Sequence, residues 1–232
     1  MISFGGGVNS VAMTIMLVNE GWRGPIVFAD TGGEHPETYC YLRTFGDWLK
    51  EREMEITTIG AEWRGKRYAE SLYDLCFSHG IIPLLAVRWC SFEYKRNPLH
   101  AWAEAHGITT QLIGISSDEP RRVREMTYPL VERDINREEC QRIIQRAGLP
   151  IPRKSGCFFC PGQRLDGWRD LFLHYPDLYE RAAALERRAS EHYGRDACLR
   201  IGGPCLDEIG KRRWEGQMEM DLSDWIPCVC TL

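Results

Sequence analysis

The sequence predicts an α/β fold, a parallel sheet with helices on both faces, followed by a helical, cysteine-bearing carboxyl-terminal part. Three observations predict it. Short apolar runs (PIVFA, EITTI, QLIGI) alternate with stretches of helical length, the rhythm of consecutive βαβ units. A glycine run, Gly5-Gly6-Gly7, separates a very short first strand from an apolar helical stretch. Beyond about Leu130 the strand-like runs stop, and helical and Pro/Gly-rich segments take over.

Met1 to Phe4 serves as a minimal first strand, and the three glycines form the turn into the helix that follows it. That helix covers Ser10 to Glu20, apolar at Val11, Met13, Ile15, Met16 and Val18, and Gly21 ends it. Pro25 to Ala29 reads as a buried strand whose end meets Asp30-Thr31-Gly32-Gly33. The next helix carries Pro36 in its first turn with Glu37 beside it, an acid where the helix dipole favours one. Glu55 to Ile59 and Gln111 to Ile115 are two further strands, the second running into Ser116-Ser117-Asp118-Glu119. Ligands of parallel α/β sheets bind at the carboxyl ends of the strands, so the residues after each strand lead as site candidates. Asn136 caps a helix through Arg146, with Glu138 and Glu139 in its first turn and Gly148 past its end. A long helical stretch from Asp166 to His192 is broken near Tyr175-Pro176. The expected division is an α/β nucleotide-binding domain over 1–130 and a helical CxxC region over 131–232 packed on it.

A chain of 232 residues with 44% hydrophobic content can bury one sizeable core and a small appended part. Its net charge of -4 argues against a general nucleic-acid coat. No apolar run reaches the length of a membrane span, so no membrane partner and a cytoplasmic location are expected. In that compartment thiols stay reduced, and ten cysteines then point to metal ligation or redox chemistry rather than to disulfides. Cys40 and Cys140 fall inside helices and read as buried core thiols. Cys157-Phe158-Phe159-Cys160 is a chelating turn that suits a metal, a redox pair or two buried thiols. A glycine turn at a helix amino terminus gathers backbone N–H groups at the positive end of the dipole, which makes an anion site. It lacks the Gly-Lys-Ser/Thr ending of the Walker loop and the GxGxxG dinucleotide pattern.

Four ordered stretches narrow the reading. SFGGGVNS resembles the PP-loop of ATP pyrophosphatases, and ADTGGEHPETY resembles the Asp-Thr-Gly…Pro-Glu-Thr segment of the PAPS/APS reductase-like branch of that superfamily, the adenine nucleotide alpha hydrolase-like proteins. WCSFEYKRNPL and IGISSDEPRRVR resemble that branch's cysteine…lysine…proline and Gly…Asp-Glu/Gln…Arg segments. The resemblance runs from Ser3 to about Pro161. It departs at Gly5, where the loop pattern has serine, and at Asn9, where it has an aspartate able to hold Mg²⁺.

The resemblance implies an enzyme using ATP, PAPS or APS, with Mg²⁺ as an accompanying ion, in sulfur transfer or sulfonucleotide reduction. It places Ser3, Gly5, Gly6, Gly7 and Ser10 at the phosphates, and Asp30, Thr31 and Gly32 beside the adenosine. Asn9 and Lys95 are the implied catalytic positions, and Arg121 and Arg122 join Lys95 at the anionic end of the nucleotide. Cys90, Cys157 and Cys160 match three ligands of a 4Fe-4S cluster, sheathed by Trp89, Phe158 and Phe159. The fourth ligand is Cys230, with Cys228, Cys205 or an open iron as the alternatives, and Cys230 is equally a candidate nucleophile. Structural zinc on the same cysteines of a pyrophosphatase or ligase is one alternative, and a nucleotide-sensing module without turnover is another. Implied partners are the adenine nucleotide, a sulfur donor or reductant, an acceptor that includes nucleic acid among its classes, and a second copy in a homodimer.

Overall fold

The computed structural model describes residues 1–64, 68, 70–124, 126–200 and 202–214. Among the described residues, four strands form one parallel sheet: β1 (Ile2–Phe4), β2 (Ile26–Ala29), β3 (Ile56–Ile59) and β4 (Leu112–Ile113), in the order β3-β2-β1-β4. Chain order runs outward in one direction from β1 through β2 to β3, and β4 then pairs on the other side of β1. This reversal between β1 and β4 is where such sheets open a ligand crevice.

Strand side chains alternate between faces, and the two faces are covered by different helices. Ile2, Phe4, Ile26 and Phe28 join one core with α1 (Val8–Asn19), α2 (Pro36–Lys50) and α7 (Arg137–Arg146). Val27, Ala29 and Ile59 join another with Trp102 and Ala103 of α5 (Asn97–Ala105). The expected sheet with helices on both faces is therefore present. Strands β2 and β3 fall within their expected ranges, whereas β4 keeps only two residues of QLIGI. Gly114 explains the early end: a Cβ there would stand 2.7 Å from the backbone N of Ser10, so the chain leaves the sheet pressed against the start of α1.

Cap chemistry sets the helix limits. Asn136 Oδ1 accepts from the Glu139 N–H at 2.9 Å and starts α7 at the expected place. The long helical stretch splits into α8 (Leu165–His174) and α9 (Pro176–Tyr193), with Pro176 at the first position of α9. A third core forms around these helices: Leu72, Leu75 and Cys76 of α3 (Leu72–His79) join Trp168, Leu171, Ala182 and Leu185. Cys140 and Ile144 of α7 pack instead in the core of α1, on the sheet side of the molecule.

Two cysteine expectations are corrected. Cys198 and Cys205 form a disulfide, their Cα atoms 4.8 Å apart, so Cys205 leaves the set of candidate cluster ligands. The turn is closed from inside by Glu186 of α9, 2% exposed, whose carboxylate accepts from the N–H groups of Leu199 at 2.7 Å and Leu206 at 2.6 Å. Holding both flanks of the turn on one carboxylate brings the two sulfurs together, which cysteine spacing alone did not signal. Cys40 is buried as expected but is disulfide-bonded rather than free, while Cys140 is a fully buried free thiol. Among the described residues no helix is long and apolar enough to cross a membrane.

Candidate functional site

The glycine turn sits at the carboxyl end of β1, beside the β1/β4 reversal. Gly6 has a φ of +68°, a conformation that only glycine adopts freely. Gly7 is the amino-terminal cap of α1 and brings no side chain to the first turn, so the first amides of α1 point out of the turn. Ser10 is buried, and its Oγ donates to the Gly7 carbonyl at 2.9 Å, which fixes the turn. Ser3 lies in mid-strand, its Oγ donating to Gln111 Oε1 at 3.4 Å, one residue short of the loop.

Asn9 joins this loop to the segment after β4. Its Nδ2 donates to Ser116 Oγ and to Glu119 Oε2, both at 2.9 Å, while its buried Oδ1 has no hydrogen-bond partner. Glu119 also binds Arg122 at 2.6 Å, so Asn9, Glu119 and Arg122 form one chain of contacts at the reversal. Arg121 is exposed on the same short turn, Pro120–Arg122. Asp118 accepts from the Arg137 N–H at 3.1 Å and ties this segment to the start of α7.

At the end of β2, Asp30 Oδ1 accepts from the Gly32 N–H at 2.8 Å and from the Tyr39 hydroxyl at 2.7 Å. Burial and the Asp30 carboxylate push the Tyr39 phenol upward in pKa, so it stays a donor. Arg64, which the sequence reading did not single out, donates to the Asp30 carbonyl and lies 4.5 Å over the Tyr94 ring. Gly32 has a φ of +70° and passes close to Ser71.

The cysteine-bearing turn is fastened to this same loop. The Phe158 N–H donates to the Gly33 carbonyl at 3.0 Å and the His35 N–H to the Gly156 carbonyl at 2.9 Å, an antiparallel bridge centred on Glu34 and Cys157. Gly33 has to be glycine here, because a Cβ would meet Phe159 at 2.8 Å. Glu34 is a second residue that sequence reasoning missed. Its side chain is fully buried; Oε1 accepts from Lys95 Nζ at 2.7 Å and from Thr31 Oγ1 at 3.0 Å, and Oε2 has no hydrogen-bond partner. Thr31 Oγ1 is also 3.3 Å from Cys157 Sγ. The only signal was an acid in a strand-end loop, a pattern shared with ordinary helix caps.

Lys95 reaches Glu34 from a π-helical turn, Phe92–Arg96, set between α4 (Trp89–Ser91) and α5, so that Cys90 and Lys95 ride on one short helical run. Burial works to lower the Lys95 pKa, but the charge of Glu34 and the neighbouring Cys157 outweigh it and hold the ammonium protonated. Burial pushes the Cys157 thiol well up, Glu34 adds to this, and Lys95 opposes it. The Cys90 thiol is raised by burial and then by Cys160. All three cysteines are free and partly buried, and Phe158 and Phe159 are core residues against Tyr73, as sheath residues or as plain packing. Among the described residues no group of three or more His, Cys, Asp or Glu converges as a single metal ion requires. Cys228 and Cys230 lie outside the described residues.

The arrangement thus brings together the glycine loop, Asn9 with Arg122, Asp30 with Thr31, and Lys95 with Cys157. Residues 1–144 match the family model of the phosphoadenosine phosphosulfate reductase domain, more than half of the chain, and the chain belongs to that family. One relative is the uncharacterized 37.8 kDa protein in the gpa 5' region of Escherichia phage 186, 24% identical over 265 residues that cover 87% of this chain and 77% of the relative. The family match includes Cys90 and Lys95 and ends within α7, ahead of Cys157 and Cys160.

Proposed function

We propose that the chain is an adenine-nucleotide-using enzyme of sulfur chemistry, either sulfur transfer or reduction of an adenylylated sulfate. The observation that carries this reading is the joining of the 33–35 loop to the 156–158 turn, which sets a cysteine pair and Lys95 in the cleft that begins at the glycine loop. Ser155 closes the remaining gap: its Oγ is 3.0 Å from where a Cβ of Gly7 would be. In this reading the amides of Gly6, Gly7 and the first turn of α1 bind phosphate oxygens, with Ser10 keeping the turn in shape. Asp30, Thr31 and Gly32 line the adenosine side, and Arg121, Arg122 and Lys95 stabilise charge on the anionic end. Lys95 is tied to Glu34, so its position and its proton are fixed before the nucleotide arrives.

The three free cysteines suit a thiolate-ligated iron–sulfur cluster. A single zinc would need its sulfurs about 2.3 Å from one centre, which these residues do not provide, whereas a 4Fe-4S cluster spreads its ligands over a larger body. When bound, such a cluster supplies electrons or a sulfur-carrying iron; Cys90, Cys157 and Cys160 would hold it, with Cys230 as fourth ligand or as nucleophile.

Anaerobic purification, iron and sulfide analysis, and assays of pyrophosphate release with ATP and sulfite release with PAPS and APS test this reading. Expected are about four irons per chain, nucleotide-dependent turnover, and roughly tenfold weaker nucleotide binding in Ser10→Ala. Unchanged affinity in Ser10→Ala, together with an iron-free protein, would overturn it. A second reading, a nucleotide sensor without turnover, is favoured by Asn9, whose amide is committed to Glu119 where the loop pattern has a metal-binding carboxylate. It predicts nucleotide binding with no product from any of the three nucleotides.

A further inference from the structure

A cavity of about 580 Å³ opens beside the cysteine-bearing turn; of its lining, the nucleotide reading uses only Ser155, Cys157 and Cys160. His35, Lys154, Cys157, Cys160, Gln163 and Arg164 line it. Cys90 does not line it, so the cavity is not simply the space among the three cysteines. Its size is that of a small-molecule pocket.

Its polar groups are arranged as a binding site would need. His35 is 4% exposed; its Nδ1 pairs with Glu37, and its buried Nε2 has no partner. Burial works to raise the Glu37 carboxyl, but its hydrogen bond with His35 outweighs this and holds it down at about 2. Gln163 Nε2 is likewise buried without a hydrogen-bond partner. Both nitrogens belong to residues of the cavity wall, and buried nitrogens without a partner are costly unless something satisfies them. Two cations stand there with little to do. Lys154 makes one long bond, 3.4 Å to the Gly162 carbonyl, and Arg164 meets Asp166 only at 3.7 Å with both side chains exposed. Arg153, by contrast, is neutralised by Glu37 and Asp170.

We propose that this cavity binds the second substrate, a small molecule with a phosphate, sulfonate or carboxylate group. The anionic group sits on Lys154 and Arg164, Gln163 and His35 read its polar middle, and its other end meets Cys157 and Cys160. Ser155 separates it from the glycine loop, so this ligand and the nucleotide lie on opposite sides of one segment. That the ligand is a reaction partner rests on the nucleotide reading; that an anion binds here does not.

Calorimetric titration of the full chain with inorganic phosphate and with thiosulfate, alone and with ATP present, tests the site. One site is expected, weakened roughly tenfold in Lys154→Ala and in Gln163→Leu, unchanged in Ser10→Ala and not displaced by ATP. Anion binding that survives both cavity substitutions but is lost to ATP or to Ser10→Ala would place the ion on the glycine loop and overturn the proposal, as would failure of both probes to bind. Anion binding as expected in a chain that does not bind ATP would leave the cavity standing and sink the nucleotide reading instead.

Discussion

At the scale of single residues, the glycine turn divides its work unequally. Gly6 alone of the three has a left-handed φ, and Gly6→Ala is expected to cost about 1–2 kcal/mol, read as a lowered Tm with weaker nucleotide binding. Gly114→Ala, outside every motif, is expected to cost about 1–3 kcal/mol by forcing β4 away from α1, and it damages the same loop from behind. Asn9→Asp restores the loop pattern but places a carboxylate against Glu119. Its deficit in Tm is expected to be largest at neutral pH and to shrink toward pH about 5, because a close carboxylate pair takes up a proton at raised pKa. Added Mg²⁺ should reverse that deficit; a variant as stable as the parent at every pH would show that Asn9 and Glu119 are not in contact. The glycines were legible because a turn before a helix leaves a clear pattern. Gly114, Glu34 and Arg64 were not, because each acts through a contact with a residue distant in the chain.

At the scale of elements, caps and breaks were the most readable features. Asn136 and Pro176 fix helix starts through purely local chemistry, so their positions followed from neighbouring residues. The π-helical turn at Phe92–Arg96 and the two-residue β4 have no local signature; tertiary contacts decide both. Helix α9 carries a pH dependence of its own. Burial raises Glu186 to about 7 against the two N–H bonds it accepts. Because the folded value lies above the unfolded one, its stabilising contribution is complete at low pH and is lost as pH rises through about 7. Thermal unfolding of the wild type should weaken between about pH 5 and 8 by up to about 3 kcal/mol more than that of Glu186→Gln. Parallel pH profiles for the two proteins would contradict the assignment.

At the scale of the whole molecule, the cysteines sort by position rather than by spacing. Brief alkylation of the cluster-free chain followed by mass spectrometry should label Cys90 and Cys160 ahead of Cys76 and Cys140, which are fully buried and whose thiols burial pushes up to about 12. The fold class and the cysteine-bearing turn were legible because apolar strands and a CxxC spacing are written locally. The Cys198–Cys205 pair was not, since it depends on a carboxylate delivered by another helix. The strand order adds a consequence in time. β1 pairs with β2 early, but its other edge waits for β4, more than a hundred residues later. At ordinary rates of synthesis that wait is roughly 5–20 s. During it a half-built sheet presents unpaired backbone beside the unfinished glycine turn, so the nascent chain should depend on ribosome-associated holding factors until Ile113 has emerged.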